Sequence, residues 1–260
     1  MTSARYIMLT RPTHQAGPLA EAIAAAGAQA FMFPTLEITA RELSAKDQAC
    51  LQQVNHYDII IFISPNAVEH GIRQITAHTP LADHVLLATI GQGSARTLYQ
   101  ALGKNPDIVP ETEFNSEGLL ATDAMQDVAN KRILIIRGSP GREALKQGLE
   151  QRGAMVDYLG VYQRGIPVMH STELTLKLEQ YLQKKQIAAI VMTSAESLDN
   201  LLKMVPAKDK KELLQLPLVL INQRLVKLAL AAGFSSQLYV ATAASDAAII
   251  ETLRENKLLS

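Results

Sequence analysis

Only one cysteine, Cys50, occurs in the 260 residues, so no internal disulfide can form and small secreted folds held by cross-links are excluded. An excess of either charge is missing too. With 25 basic and 25 acidic residues the formal net charge is +0, so no global field draws the chain to nucleic acid or to a membrane surface. Any recognition of an acidic partner must come from local groups. No apolar run approaches the ~20 residues of a membrane span. Met1-Thr2-Ser3-Ala4-Arg5 leads straight into a strand without the apolar stretch of a signal peptide. A soluble, cytoplasmic protein is expected. His14, His56, His70, His78, His84 and His170 include no pair at zinc spacing with a third ligand. The sequence has no Gly-x-Ser-x-Gly elbow, Walker A loop or tight acidic pair at a strand end. Metal, acyl-enzyme, NTPase and glycosidase chemistries therefore lack their parts.

What the chain does have is a recurring unit, an apolar run that stops at a small polar or glycine-rich turn and gives way to a helical pattern. The runs Tyr6–Leu9, Ile59–Ile63, Val85–Ile90, Ile133–Ile136, Ala188–Met192 and Leu218–Ile221 are nearly continuous in Val, Ile, Leu and Ala. Such continuity predicts parallel strands buried on both faces under helices. Weaker strands are predicted at Phe31–Phe33, Ile108–Val109, Met155–Leu159 and Leu238–Val240, after helices ending at Gly27, Gly103, Gly153 and Gly233. The chain length lies where single cores stop growing, so two domains are expected. Ten strands suit two five-stranded sheets. Counting leaves the boundary open, since a cut near Asn130 and an insertion spanning Thr35–Arg164 both give five and five. Thr35-Leu36-Glu37-Ile38-Thr39 alternates polar and apolar, and Val161-Tyr162-Gln163-Arg164 is a short polar stretch before Gly165 and Pro167. Side by side they would make a two-stranded antiparallel hinge.

At the carboxyl ends of such strands lie ligand crevices and the unpaired N–H groups of helix N-termini. Ser64-Pro65 and Ser139-Pro140 each place a serine at a helix cap and a proline at the first helical position. Taken singly they can be plain caps. Several at one rim aim N–H groups at a carboxylate or phosphate, so an anionic ligand is expected. Gly91-Gln92-Gly93-Ser94-Ala95-Arg96 begins like a dinucleotide fingerprint but has Arg96 at the third glycine position, which weighs against NAD or FAD. Arg137 and Arg142 flank a glycine-rich turn after a buried strand, where a guanidinium can grip carboxylates; Arg142, already on the helix, reads as solvated. Arg11 and Arg224 sit at comparable turns. Cys50 reads as a small packed side chain on a helix that Ser44 and Asp47 open as a capping box.

Taken in order, the turns resemble those of the uroporphyrinogen-III synthase family. The residues are Leu9-Thr10-Arg11-Pro12, Phe62-Ile63-Ser64-Pro65-Asn66-Ala67-Val68, Ile90-Gly91-Gln92-Gly93-Ser94-Ala95, Ile136-Arg137-Gly138-Ser139-Pro140-Gly141-Arg142-Glu143, Val161-Tyr162 and Thr193-Ser194-Ala195-Glu196-Ser197-Leu198. The resemblance covers essentially the whole chain. It implies an α/β fold of two similar doubly wound parallel-sheet domains, five strands each, joined by a two-stranded antiparallel linker. One domain would hold residues 1–36 and 167–260, the other 37–166, with linkers near 35–40 and 160–167.

The implied activity is that of a cofactor-free enzyme, monomeric and without nucleic-acid or membrane partners. Its substrate would be the linear tetrapyrrole hydroxymethylbilane, a polyacid held in the cleft between domains and cyclised to uroporphyrinogen III with ring D inverted through a spiro intermediate. Tyr162 matches the family's hinge tyrosine, which assists departure of the hydroxyl. Ser64, Ser94 and Ser194 match hydroxyl-bearing turns that face the substrate. Thr10, Arg11, Asn66, Gly91, Gly93, Arg137, Gly138 and Ser139 complete the substrate-binding set at the same turns. One departure stands out: where many members have Gly-Pro-Thr-Thr or a similar run, this chain has Asn222-Gln223-Arg224-Leu225, so the threonine role does not carry over and Asn222 or Arg224 would have to substitute. Two other classes share parts of the pattern: a non-catalytic two-domain module binding a small anion, and a dinucleotide-dependent oxidoreductase.

Overall fold

Ile59–Phe62, Ile187–Met192 and Leu218–Leu220 are buried at every position, as continuous apolar strands covered on both faces must be. The structure, a computed structural model, describes residues 5–139, 143–167 and 171–259, without the side chains of Ser139 and Ser171. The chain divides into two compact units, Met1–Glu37 with Gly165–Ser260, and Ile38–Arg164. The first unit begins with β1 (Tyr6–Leu9), α1 (Thr13–Ala25) and β2 (Gln29–Met32). The second carries β3 (Glu37–Ala40), α2 (Ala45–Gln52), β4 (Ile59–Phe62), α3 (Pro65–His78), β5 (Leu86–Thr89), α4 (Gln92–Leu102), α5 (Ser116–Ala121), β6 (Arg132–Ser139), α6 (Ala144–Gln151) and β7 (Met155–Gly165). The first unit resumes with α7 (Ser171–Gln183), β8 (Ile187–Met192), α8 (Ala195–Met204), α9 (Lys210–Leu213), β9 (Leu218–Leu220), α10 (Gln223–Ala231), β10 (Leu238–Val240) and α11 (Asp246–Glu255).

The first unit's sheet runs β10-β9-β8-β1-β2, parallel at every pairing. Strand order reverses between β1 and β8, the switch point of a doubly wound sheet, where ligands bind beyond the carboxyl ends. The second unit's sheet runs β3-β7-β6-β4-β5, with β7, β6, β4 and β5 mutually parallel, and its switch point falls between β4 and β6. Each sheet has an apolar layer on either face. In the second unit Ile60, Phe62, Leu134 and Ile136 pack on one side and Ile59, Ile61, Ile133 and Ile135 on the other.

One expectation about strands needs correcting. Ile108–Val109 is not a strand: Ile108 makes an isolated bridge to Ala88, and β3 supplies the fifth strand instead. The two linker stretches lie side by side as expected. β3 is the edge of the second sheet and β7 its neighbour, Arg41 N–H donating to the Val161 carbonyl at 3.2 Å. Gly27, Gly103, Gly153 and Gly233 all adopt positive φ past their helices, a conformation that costs glycine nothing.

Asp47 fastens this edge. Ser44 and Asp47 form the capping box that opens α2, and the same carboxylate, 5 % exposed, accepts from Gly160 N–H at 3.0 Å and from Arg41 Nη2 at 3.2 Å. Burial would raise its pKa. The bonds from Ser44 and Gly160 and the Arg41 charge outweigh burial and hold the carboxyl below its usual value. A depressed folded-state pKa means stability that is fully present above the unfolded carboxyl value of about 3.9 and is lost as pH falls through the folded one. Replacing Asp47 by Ala strands the Gly160 N–H and should cost about 2–3 kcal/mol at neutral pH. Urea unfolding of both proteins should show that gap shrinking below about pH 4; a gap unchanged at pH 3 would contradict this account.

Candidate active site

Alternation along β7 puts Val156 and Tyr158 on the face of Ile133 and Ile135, and Leu159 and Val161 on the opposite face. By that parity Tyr162 belongs with Tyr158. It sits instead beside Leu159 and Val161, because the register against β6 slips: Arg137 is opposite Gly160, but Gly138 is opposite Tyr162. A bulge of this kind re-aims one side chain. The tyrosine, 3 % exposed, thereby reaches the amino end of α3, where its hydroxyl lies 3.1 Å from Ser64 Oγ. Ser64 is the cap of that helix, accepting from Ala67 N–H at 3.1 Å, with Pro65 following it at the first position. His70 stacks on the Tyr162 ring at 5.7 Å between centroids. The Arg164 guanidinium carbon is 5.9 Å from the ring centre.

Gly138 is part of this arrangement. A Cβ there would fall 2.3, 2.5 and 2.9 Å from three Tyr162 ring carbons, so the ring occupies the space that any other residue's side chain needs. Nothing in the sequence announces the slip. The turn pattern marks Gly138 as a substrate-binding position; in the structure its lack of a side chain also leaves room for the tyrosine ring.

On the other face of the sheet a cavity of about 280 Å³ is lined by Ile63, Ile90, Phe114, Arg137, Leu145 and Tyr158, among others. Arg137 is buried, with its guanidinium carbon 4.4 Å from the Tyr158 ring centre and one nitrogen 3.2 Å from Glu143 Oε1. Glu143 also accepts from the Tyr158 hydroxyl at 3.0 Å. Burial, then that bond, pushes the Tyr158 pKa up to about 12, against the opposing charge of Arg137. The arginine is therefore already paired, and an incoming carboxylate has to share it with Glu143. Sequence reasoning missed Glu143 and Tyr158. A larger cavity of about 630 Å³ is lined by Asp107, Glu111, Glu113 and Asp123, a lining that repels a polyacid.

Of the remaining second-unit residues, Gly91 caps α4 in extended backbone (φ −165°), Gly93 is exposed, and Asn66 and Ser94 are buried in the first turns of α3 and α4. Ser139 ends β6 opposite Gln163 and is not the helix cap expected of it, since α6 begins at Ala144 with Glu143 at its cap position. Pro140, Gly141 and Arg142 lie outside the described residues.

In the first unit, Ser194 caps α8, accepting from Ser197 N–H at 3.0 Å. Asn222 caps α10, accepting from Leu225 N–H at 3.0 Å, and Arg224 is exposed. Thr10 does not face outward. Fully buried, it donates its hydroxyl to the Val191 carbonyl at 2.9 Å, while its carbonyl accepts from Thr35 N–H and Oγ. Asn200 Nδ2 donates to the Thr35 carbonyl at 2.9 Å, a buried tie that the sequence did not signal. Arg11 is bonded to Asp246 in the first turn of α11. Among the described residues no group of three or more His, Cys, Asp or Glu could hold a metal ion, and no helix is long and apolar enough to cross a membrane.

Residues 17–251 match the family model described as Uroporphyrinogen-III synthase HemD. The uroporphyrinogen-III synthase of Proteus mirabilis is 36% identical over 175 residues, covering 66% of this chain and 86% of that protein. That of Escherichia coli is 28% identical over 253 residues, covering 95% and 99%. Among solved structures, a Thermus thermophilus uroporphyrinogen III synthase superposes with a TM-score of 0.61 at 16% identity, covering 98% of each chain. A Helicobacter pylori uroporphyrinogen-III synthetase gives 0.61 at 13%, covering 97% and 99%. These likenesses are to the fold.

The contact of Gly138 with the tyrosine ring gives a direct test. Replacing Gly138 by Ala forces the ring to move, and overpacking of this kind should cost about 1–3 kcal/mol. Urea denaturation should show a lower midpoint with an unchanged slope; an unshifted midpoint would mean that the ring is not seated on Gly138.

Proposed function

The chain belongs to the uroporphyrinogen-III synthase family, and from that premise we propose that it closes hydroxymethylbilane into uroporphyrinogen III with ring D inverted, through a spiro intermediate. It is an enzyme of tetrapyrrole cyclisation; the substrate, the inversion and the roles below are our reading. The observation that carries the reading is the Tyr162 hydroxyl, set 3.1 Å from Ser64 Oγ at the amino end of a 14-residue helix beside the second unit's switch point.

In this scheme Tyr162 passes its proton to the terminal hydroxyl of the bilane. The carbon–oxygen bond breaks with its electron pair leaving on water, and the pyrrole nitrogen spreads the resulting positive charge. The substituted carbon of ring D attacks to give the spiro centre, which fragments and recloses with the ring turned over. The proton lost from carbon when the macrocycle closes restores the phenol. Little covalent help is needed. Free in water the same cation would close by the shortest route, so catalysis lies in orientation and in binding one transition state better than the other.

Orientation falls to the carboxylate-binding groups of the rims. Ser194 and Asn222 in the first unit, and Gly91, Gly93, Asn66 and Ser94 in the second, stand at helix N-termini whose unpaired N–H groups suit acetate and propionate chains. Arg137 adds a charge from within its cavity, while the backbone of Ser139 and the turn after Thr10, with Arg11, offers further donors. Thr10 itself contributes through the main chain.

Freshly generated hydroxymethylbilane incubated with the protein should yield type III uroporphyrin after oxidation, well above the no-enzyme control. A ratio equal to the control would overturn the reading. Tyr162→Phe should lower kcat by about a hundredfold, the scale of one proton donor, with thermal unfolding unchanged; a full rate would remove Tyr162 from the chemistry. Arg137→Ala should act on KM, and an unchanged KM would take Arg137 off the substrate.

A further inference from the structure

Ser64 was expected to touch substrate, yet its oxygen is engaged on both sides by the protein. Oγ accepts the Ala67 N–H at 3.1 Å and lies 3.1 Å from Tyr162 Oη, and a serine hydroxyl has one hydrogen to give. If the phenol donated to Ser64, the serine hydrogen would be left to find another acceptor while Oγ accepted twice. With the serine donating, its hydrogen and that of Ala67 N–H are both placed, and the phenol's own is left for the bilane hydroxyl.

We propose that Ser64 is a positioning residue for the proton transfer, its hydroxyl donating to Tyr162 Oη so that the phenol hydrogen is held for the substrate. The inference rests on the reading of Tyr162 given above and deepens it. When the phenol hydrogen leaves, its bond pair stays on Oη. The Ser64 hydrogen bond then becomes charge-assisted and shortens, and the positive end of α3 sits behind it. The stabilisation therefore grows as the transfer proceeds, and such an interaction appears in kcat. The ring is kept from swinging off this donor by Gly138 along one edge and His70 on a face. Ser64 thus serves two tasks with one atom, starting the helix and aiming the tyrosine, and the two can be separated by mutation.

Ser64→Gly separates them. Glycine is a tolerable helix cap, and α4 in this protein already starts at Gly91 with φ −165° and ψ 169°, against −164° and 163° at Ser64. The variant should keep a thermal midpoint within a few degrees of the parent protein, lose about tenfold in kcat and hold KM within about twofold. Ser64→Thr, which keeps a hydroxyl and a cap, should restore most of the rate. A raised KM with unchanged kcat would overturn the proposal in favour of direct substrate contact. Unchanged values for both, or a threonine variant as slow as the glycine one, would also overturn it. Tyr162→Phe keeps the two hypotheses apart. A slow phenylalanine variant beside a fully active Ser64→Gly defeats this inference alone, whereas a fully active phenylalanine variant defeats the reading beneath it.

Discussion

Between Arg137 and Gly138 the pairing of β6 with β7 slips by one residue, and that slip decides what the second unit's rim can do. Before it, the strand's even-numbered side chains pack with Ile133 and Ile135; after it, Tyr162 has crossed to the layer that holds α3. The crossing needs a partner strand that yields room, which is why the residue opposite the ring has no side chain. It also needs the strand end to be held, which the Asp47 bond to Gly160 N–H provides two residues earlier. Burial, glycine placement and the carboxylate clamp are thus one arrangement that fixes a single phenol.

Charge is handled differently from what a polyacid ligand suggests at first. The arginine at each rim already has a carboxylate, the half-buried Arg11 on Asp246 and the buried Arg137 on Glu143. A guanidinium taken out of water without such a partner would be costly. On the proposed reading, helix N–H donors can receive carboxylates without breaking these ion pairs, since they carry partial charge and need no counter-ion. A chain with zero net charge can serve an acidic substrate in this way.

Much of this was readable in the amino-acid sequence because it is local. Continuous apolar runs gave the buried strands, and Ser64, Ser194 and Asn222 stand at caps because each is followed three residues later by the N–H that it accepts. The capping box at Ser44 and Asp47 is equally short-range. What escaped was set by distant partners. Arg11 and Asp246 are separated by 235 positions, Thr10 and Val191 by 181, and no turn pattern shows that the threonine points inward. Ile108 failed as a strand because its apolar run is too short to extend beyond one bridge, while the alternating stretch at Glu37–Ala40 found an edge position with β7. The face chosen by Tyr162 depends on one extra residue in β7, in a pairing that period-two reasoning assumes to be regular.

The first unit's sheet is assembled from both ends of the chain. β1 lies between β2, its neighbour in sequence, and β8, which begins at Ile187. During synthesis β1 and β2 emerge first but have no second partner until the whole of Ile38–Arg164 has left the ribosome. The middle of the chain can complete its own sheet in that interval, while Ile7, Met8 and Leu9, buried in the finished protein, wait with one flank open. The strand order thus leaves an unpaired apolar edge exposed during synthesis, the kind of surface through which folding chains aggregate.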